Sequence, residues 1–220
     1  MPEFDISSVT IGKLVVALFA ISLHESGHAF VAHWLGDDTG RNRGRVTLNP
    51  LPHLHPIMSV LLPAFLILTN SPYIFGAGRP VPVSVDKLKN PGRDFALIAF
   101  AGPAVNLLLA LLISLLWIFL IHGDQPIVGS GHPALYWLRF GVMINILLAC
   151  FNLIPIPPLD GSRLLAFFLP GPVRRAFYSL DAVGFVILVA LLLTGMMNSI
   201  LMVTYSPLFN WWYDFCLSWI

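Results

Sequence analysis

Charge is what this chain has least of. Only 10% of its 220 residues are Asp, Glu, Lys or Arg, 57% are hydrophobic, and the net charge is +1. A soluble domain carries about a quarter charged residues, so that class is excluded, and the near-neutral balance supplies no basic surface for nucleic acid. Cysteine is equally scarce. Cys150 and Cys216 lie in separate apolar segments without CxxC spacing, which excludes a disulfide framework or a thiolate zinc site and leaves them as packing residues. Glutamate occurs only at Glu3 and Glu25. No internal repeat, low-complexity tract or linker is visible, and one domain over residues 1–220 is the economical reading.

What is abundant is lipid-compatible sequence. Four stretches, 11–35, 95–121, 134–153 and 178–203, are rich in Leu, Ile, Val, Phe and Ala, and each approaches or exceeds the roughly 20 residues a helix needs to cross the hydrocarbon. The first lacks the basic start and small-residue cleavage site of a signal peptide and is read as a permanent span. The stretch 57–69 is shorter and carries Pro63, which predicts a re-entrant or broken segment. Residues 205–220 mix Trp211, Trp212, Tyr213 and Trp219 with Asp214, the composition of an interfacial or membrane segment. The fold class is therefore an all-α polytopic membrane protein with about four full crossings, because lipid tolerates only backbones that satisfy their own hydrogen bonds.

Lys and Arg set the expected orientation. Arg41, Arg43 and Arg45 follow the first span, Arg79, Lys87, Lys89 and Arg93 follow the short stretch, and Arg163, Arg174 and Arg175 follow the third span, whereas 122–133 has no Lys or Arg. If 57–69 dips in and returns, all three basic regions are cytoplasmic, with only Lys13 and Arg139 near outer ends. Two small pieces of extended character, 45–48 and 81–85, fall in the cytoplasmic loops and could offer an edge to an unwound peptide.

Polar residues inside such runs demand a chemical reason. His24, Glu25 and His28 form an HExxH pattern within the first span. Residues four apart share a helix face, so the two imidazoles can converge on one ion with the carboxylate beside it: a zinc site with a built-in base. Zinc hydrolases usually offer three protein ligands. The best third candidate is Asp160, which follows a run of three prolines and precedes Gly161 in Asn152-Leu153-Ile154-Pro155-Ile156-Pro157-Pro158-Leu159-Asp160-Gly161. Asn152 could donate to an oxyanion or simply cap its helix.

HESGH on an early span, GRVTLNPLPHLHPI after it, Ala101-Gly102-Pro103 with Asn106 on a later span, and NLIPIPPLDG together resemble the site-2 protease family of intramembrane zinc metalloproteases. The resemblance implies one zinc ion per chain held by His24, His28 and Asp160, Glu25 as general base, and Asn152 assisting substrate or oxyanion binding. It implies hydrolysis of peptide bonds in transmembrane segments of membrane proteins. The basic loops put the site toward the cytoplasmic side, and a prokaryotic cytoplasmic membrane is the expected location. Relatives with the TLNP element tend to continue His-x-Asp-Pro-x-Gly, where this chain has His53-Leu54-His55-Pro56-Ile57-Met58; His53 matches, and His55 and Met58 do not. No PDZ-like segment is visible, and a compact, core-only member is expected.

Other polar groups leave alternatives open. His53 either reaches the active site or is structural, Asn106 either bonds another helix or contacts substrate, and His33, His122 and His132 are read as interfacial. Gly102 and Pro103 predict a close helix approach and a bend. Two rival functions use the same residues: a catalytically silent scaffold that binds membrane segments, and a membrane zinc transporter or sensor. A pure binder has no use for Glu25, and a transporter would place several polar sites along a path.

Overall fold

The computed structural model describes residues 6–61, 63, 76–121 and 132–217. The chain separates into two compact units, Met1–Gly102 and Pro103–Ile220. The described residues of both are helical with irregular connections and no strands, as an all-α membrane protein requires. Three helices are long and apolar enough to cross a membrane, Val9–Trp34, Pro91–Ile121 and Pro133–Asn152. A fourth crossing is available if Gly171–Tyr178 and Asp181–Leu193, which meet at 58°, act as one broken span.

The first unit is organised around α1 (Ile6–Trp34). This helix ends where Gly36 adopts a φ of 103°, a left-handed conformation that only glycine takes without penalty, and the Asp37 N–H turns back to the Ala32 carbonyl at 2.8 Å. The fully buried Asp37 carboxylate accepts the Thr39 N–H at the start of a single helical turn, α2 (Thr39–Asn42), and the Ser84 N–H at 2.6 Å. It thereby ties the 84–87 region to the end of α1. A long helix α3 (Pro91–Ile121) starts with Pro at its first position, and the Asp94 carboxylate caps it by accepting the Asn90 N–H at 2.8 Å. Ala32, Leu88 and Ile98 form the apolar core of this unit, with Val31, Leu35, Val83 and Phe95 around them.

The two pieces of extended character do not become strands. Residues 46–48 form bends, 81–84 are irregular, and Val85 opens a 3-10 turn; the one β-bridge among the described residues joins Leu54 to Gly78. Of the predicted re-entrant stretch 57–69, the described part is a π-helical turn, Pro56–Leu61, followed by Pro63. Most of the remainder, like His122 and nearly all of the loop 122–133, lies outside the described residues.

The second unit takes the rest of α3 and adds α4 (Pro133–Asn152), α5 (Asp160–Phe167), α6 (Gly171–Tyr178), α7 (Asp181–Leu193) and α8 (Met196–Leu217). Ala110, Val142, Ile146 and Cys150 of α3 and α4 pack against Tyr205, Leu208, Phe209 and Trp212 of α8. A second cluster joins Ile154, Leu159, Leu188 and Met197. Both cysteines are free and buried, as packing residues should be. Leu108, Leu112, Leu115 and Phe119 of α3 remain exposed, a liability in water and the expected state in lipid.

The single span expected over 178–203 is corrected. Helix α7 ends at Leu193 and α8 begins at Met196, with Gly195 between them at φ 74° and its N–H on the Leu192 carbonyl. Hydropathy is blind to this break because the chain stays apolar on both sides of the glycine. The described part of 205–220 belongs to the same α8 helix and is not a separate segment.

Candidate metal centre

Positions 24, 25 and 28 lie within α1, where uninterrupted helix sets their spacing. The His24 and His28 rings stand edge to face with centroids 4.7 Å apart, and their Nε2 atoms are 3.1 Å apart. Both histidines are buried. His28 Nδ1 lies 2.7 Å from the Ile98 carbonyl, which can only accept, so Nδ1 carries the proton and Nε2 keeps its lone pair. Two nitrogens bonded tetrahedrally to one zinc at about 2.0–2.1 Å would be separated by about 3.3 Å, and the observed pair is close to that arrangement.

Gly102 completes the cradle. A Cβ at this position would sit 2.5 Å from His24 Cε1 and from His28 Cε1 and Nε2, so only glycine lets α3 pass this close to the imidazoles. The close approach expected of Gly102 is thereby given its object. These residues fit a zinc ion.

Glu25 is held from the side. The Val81 N–H donates to Glu25 Oε2 at 3.2 Å, and a Cβ on Gly78 would meet Ile21 Cγ2 at 2.8 Å and Glu25 Cγ at 3.2 Å. Ser26, the next residue, donates its hydroxyl proton to the Thr47 carbonyl and accepts from His53 Nε2 at 3.0 Å. His53 is fully buried, and its Nδ1 makes no hydrogen bond. Burial first, and the neighbouring Arg45 cation second, push its pKa below the ordinary value. His53 thus reaches the helix that carries the motif, in a supporting position beside Ser26. His55 serves its own turn, with Nδ1 accepting the Met58 N–H and its N–H donating to Ser59 Oγ, which gives the departure from the relatives' pattern a local structural use.

The other predicted residues belong to the second unit. Asp160 is the first residue of α5, just after the proline-rich turn. That turn is defined by close backbone contacts: a Cβ on Gly161 would lie 2.1 Å from the Leu153 carbonyl oxygen, and one on Gly184 would lie 2.1 Å from the Pro157 oxygen. Asn152 ends α4, and its amide donates to the Leu148 carbonyl at 3.0 Å, which commits one of its two amide protons. Asn106 is fully buried and donates to Asn145 Oδ1 at 2.9 Å, while Asn145 donates to the Gly141 carbonyl, so the helix-to-helix bond is the one formed. Asn145, an amide inside an apolar span, carried the same signal as Asn106 and was missed. Ser26 and Arg45 carry no such signal, one lying between the motif histidines and the other among the loop arginines.

The family model for Peptidase family M50 matches residues 126–195. A Bacillus subtilis protein named "Putative zinc metalloprotease YwhC" is 32% identical over 189 residues, covering 86% of this chain and 83% of its own length. The chain belongs to the site-2 protease family. The Mycolicibacterium smegmatis protein named "Putative zinc metalloprotease Rip2" is 34% identical over 215 residues, 96% of this chain and 76% of that protein. A Methanocaldococcus jannaschii relative, "Putative zinc metalloprotease MJ0611", is 35% identical over 117 residues, 52% of this chain and 55% of its own. No solved structure matches. As a site-2 protease family member the chain is a zinc metallopeptidase and an integral membrane protein, with Zn2+ as its cofactor.

Proposed function

We propose that this site-2 protease family member cuts peptide bonds inside transmembrane segments of other membrane proteins, with residues 1–220 working as one metalloprotease domain. The observation that carries the reading is depth. At 1.5 Å per residue, His28 lies roughly 9 Å and His24 roughly 15 Å short of the Trp34 end of α1, inside the hydrocarbon if that end meets the surface. Arg41, Arg43 and Arg45 follow this end, so it faces the cytoplasm of a prokaryotic cell membrane, and water reaches the site from there.

His24, His28 and Asp160 would hold the zinc, which when bound activates water near neutral pH and polarises the scissile carbonyl. Glu25 takes the proton of the attacking water and delivers it to the leaving amine. Asn152 still has an amide proton to offer the developing oxyanion. His53 and Asn106 support the elements that carry these groups. A substrate helix hides its carbonyls in its own hydrogen-bond ladder, so the substrates cut best should carry helix-weakening residues near the scissile bond.

Cleavage of a membrane-spanning substrate by the intact protein and by Glu25→Gln tests the reading. Loss of about three orders of magnitude in kcat with zinc content unchanged is expected, the middle of the range that general acid–base catalysis contributes. Equal cleavage by both proteins would remove Glu25 from the mechanism.

A further inference from the structure

Arg45 is 3% exposed. An arginine is almost never buried unless its charge is answered, so its place in the first unit needs a reason. Its guanidinium Nη1 donates to the Arg79 carbonyl at 3.1 Å. The Arg79 N–H in turn donates to the His53 carbonyl at 2.7 Å, and the preceding residue, Gly78, bridges to Leu54. Residue 79 is therefore gripped at both its N–H and its carbonyl. Two residues later the Val81 N–H meets Glu25 Oε2, and on the other side Gly78 lies so close to Glu25 and Ile21 that an added Cβ would press on both side chains. Burial first, and the Arg79 cation after it, oppose the charge on this guanidinium; the Glu25 carboxylate favours it, and Arg43 adds a smaller opposition.

We propose that Arg45 is a positioning residue for peptide hydrolysis: by gripping the Arg79 carbonyl it holds the 78–81 segment, and through it the Val81 amide, against the Glu25 carboxylate. The inference rests on the reading of Glu25 as the base. A glutamate side chain has three rotatable bonds, and a base is effective only while its carboxylate stays within reach of the proton it abstracts. The Val81 amide removes that freedom, and Arg45 keeps the amide in place. A lysine at position 45 retains the cation but lacks the planar fork of donors and the same reach, so it should restore part of the function.

The test uses the full chain in detergent with zinc and a membrane-spanning substrate. For Arg45→Ala, kcat should fall about 10- to 100-fold with KM within about twofold, the pattern of a misplaced group that acts mainly in the transition state. Zinc content should equal that of the unaltered protein, and backbone amide exchange over 78–81 should speed up selectively. Arg45→Lys should fall between the two in kcat. An unchanged kcat, unchanged exchange at 78–81, or a loss of activity matched by loss of zinc overturns the proposal. Should Arg45→Ala not fold, Arg45→Lys combined with Gly78→Ala decides the matter. If both act through the same segment, the double variant is no slower than Gly78→Ala alone, and multiplying effects overturn the shared path. A Glu25→Gln protein that still cleaves sinks the base and leaves the exchange result at 78–81 standing. An inactive Glu25→Gln beside a fully active Arg45→Ala sinks the positioning role alone.

Discussion

The helix that carries His24, Glu25 and His28 and the turn that leads to Asp160 present their side chains by opposite means. In the first, regular α1 geometry sets the spacing, and the surrounding segments are tied to it by polar contacts: Ser26 to Thr47 and His53, Glu25 to Val81, His28 to Ile98. In the second the backbone is irregular, and what defines it is steric: the carbonyls of Leu153 and Pro157 press on Gly161 and Gly184, with Ile154 and Leu159 buried against Leu188 and Met197. Polar bracing should fail by degrees, since each lost hydrogen bond has a modest cost. Steric bracing should fail abruptly, since backbone cannot give way as a side chain can.

Gly161→Ala probes that contrast most severely. Its new methyl carbon would lie 2.1 Å from the Leu153 oxygen and 2.6 Å from that of Ile154, so we expect a loss of about 3 kcal/mol, the upper end for overpacking, together with loss of cleavage. Thermal unfolding in detergent measures it, and a variant as stable as the parent would end the steric account. Gly102→Ala carries the steric test into the first region. The methyl would strike both imidazoles at 2.5 Å, and zinc affinity should drop by about 100-fold, at least as much as a lost outer-shell partner costs, as read by competition with a chelator. Unaltered affinity would mean that the rings can move aside.

Ser26→Ala is milder. It leaves the buried His53 N–H without its acceptor, for a stability loss of about 1 kcal/mol and no change in zinc content. A loss equal to that of Gly161→Ala would erase the distinction between the two kinds of bracing. The smallest effect concerns pH. Burial and Arg45 depress the His53 pKa from 6.5, so the folded protein keeps this imidazole neutral where the unfolded chain would take up a proton. Stability from this source is complete above about pH 6.5 and declines as pH falls below it. Melting temperatures at pH 7.5 and 5.5 should differ less in His53→Gln than in the parent, and equal differences would show that His53 takes no part.

Much of this was readable in the residues. The HExxH pattern needs only helical periodicity, a local property, and it was placed correctly on α1 together with the membrane character of the fold. Asp160 stood out because prolines and a glycine surround a carboxylate in apolar sequence. The break at Gly195 was not readable, because an apolar run does not announce a change of direction. The alternatives for His53 and Asn106 stayed open because a polar side chain in an apolar run says that it needs a partner without saying which one.

Composition and periodicity therefore decided the solvent, the helical class and the spacing of His24, Glu25 and His28, since each depends on residues a few positions apart. Tertiary structure alone decided that Arg45 is buried, that His53 serves Ser26, that Asn106 bonds Asn145 and that Gly102 lies against two imidazoles. Those outcomes depend on desolvation and close contact between residues far apart in the chain, and such energies exist only once the distant segments have met.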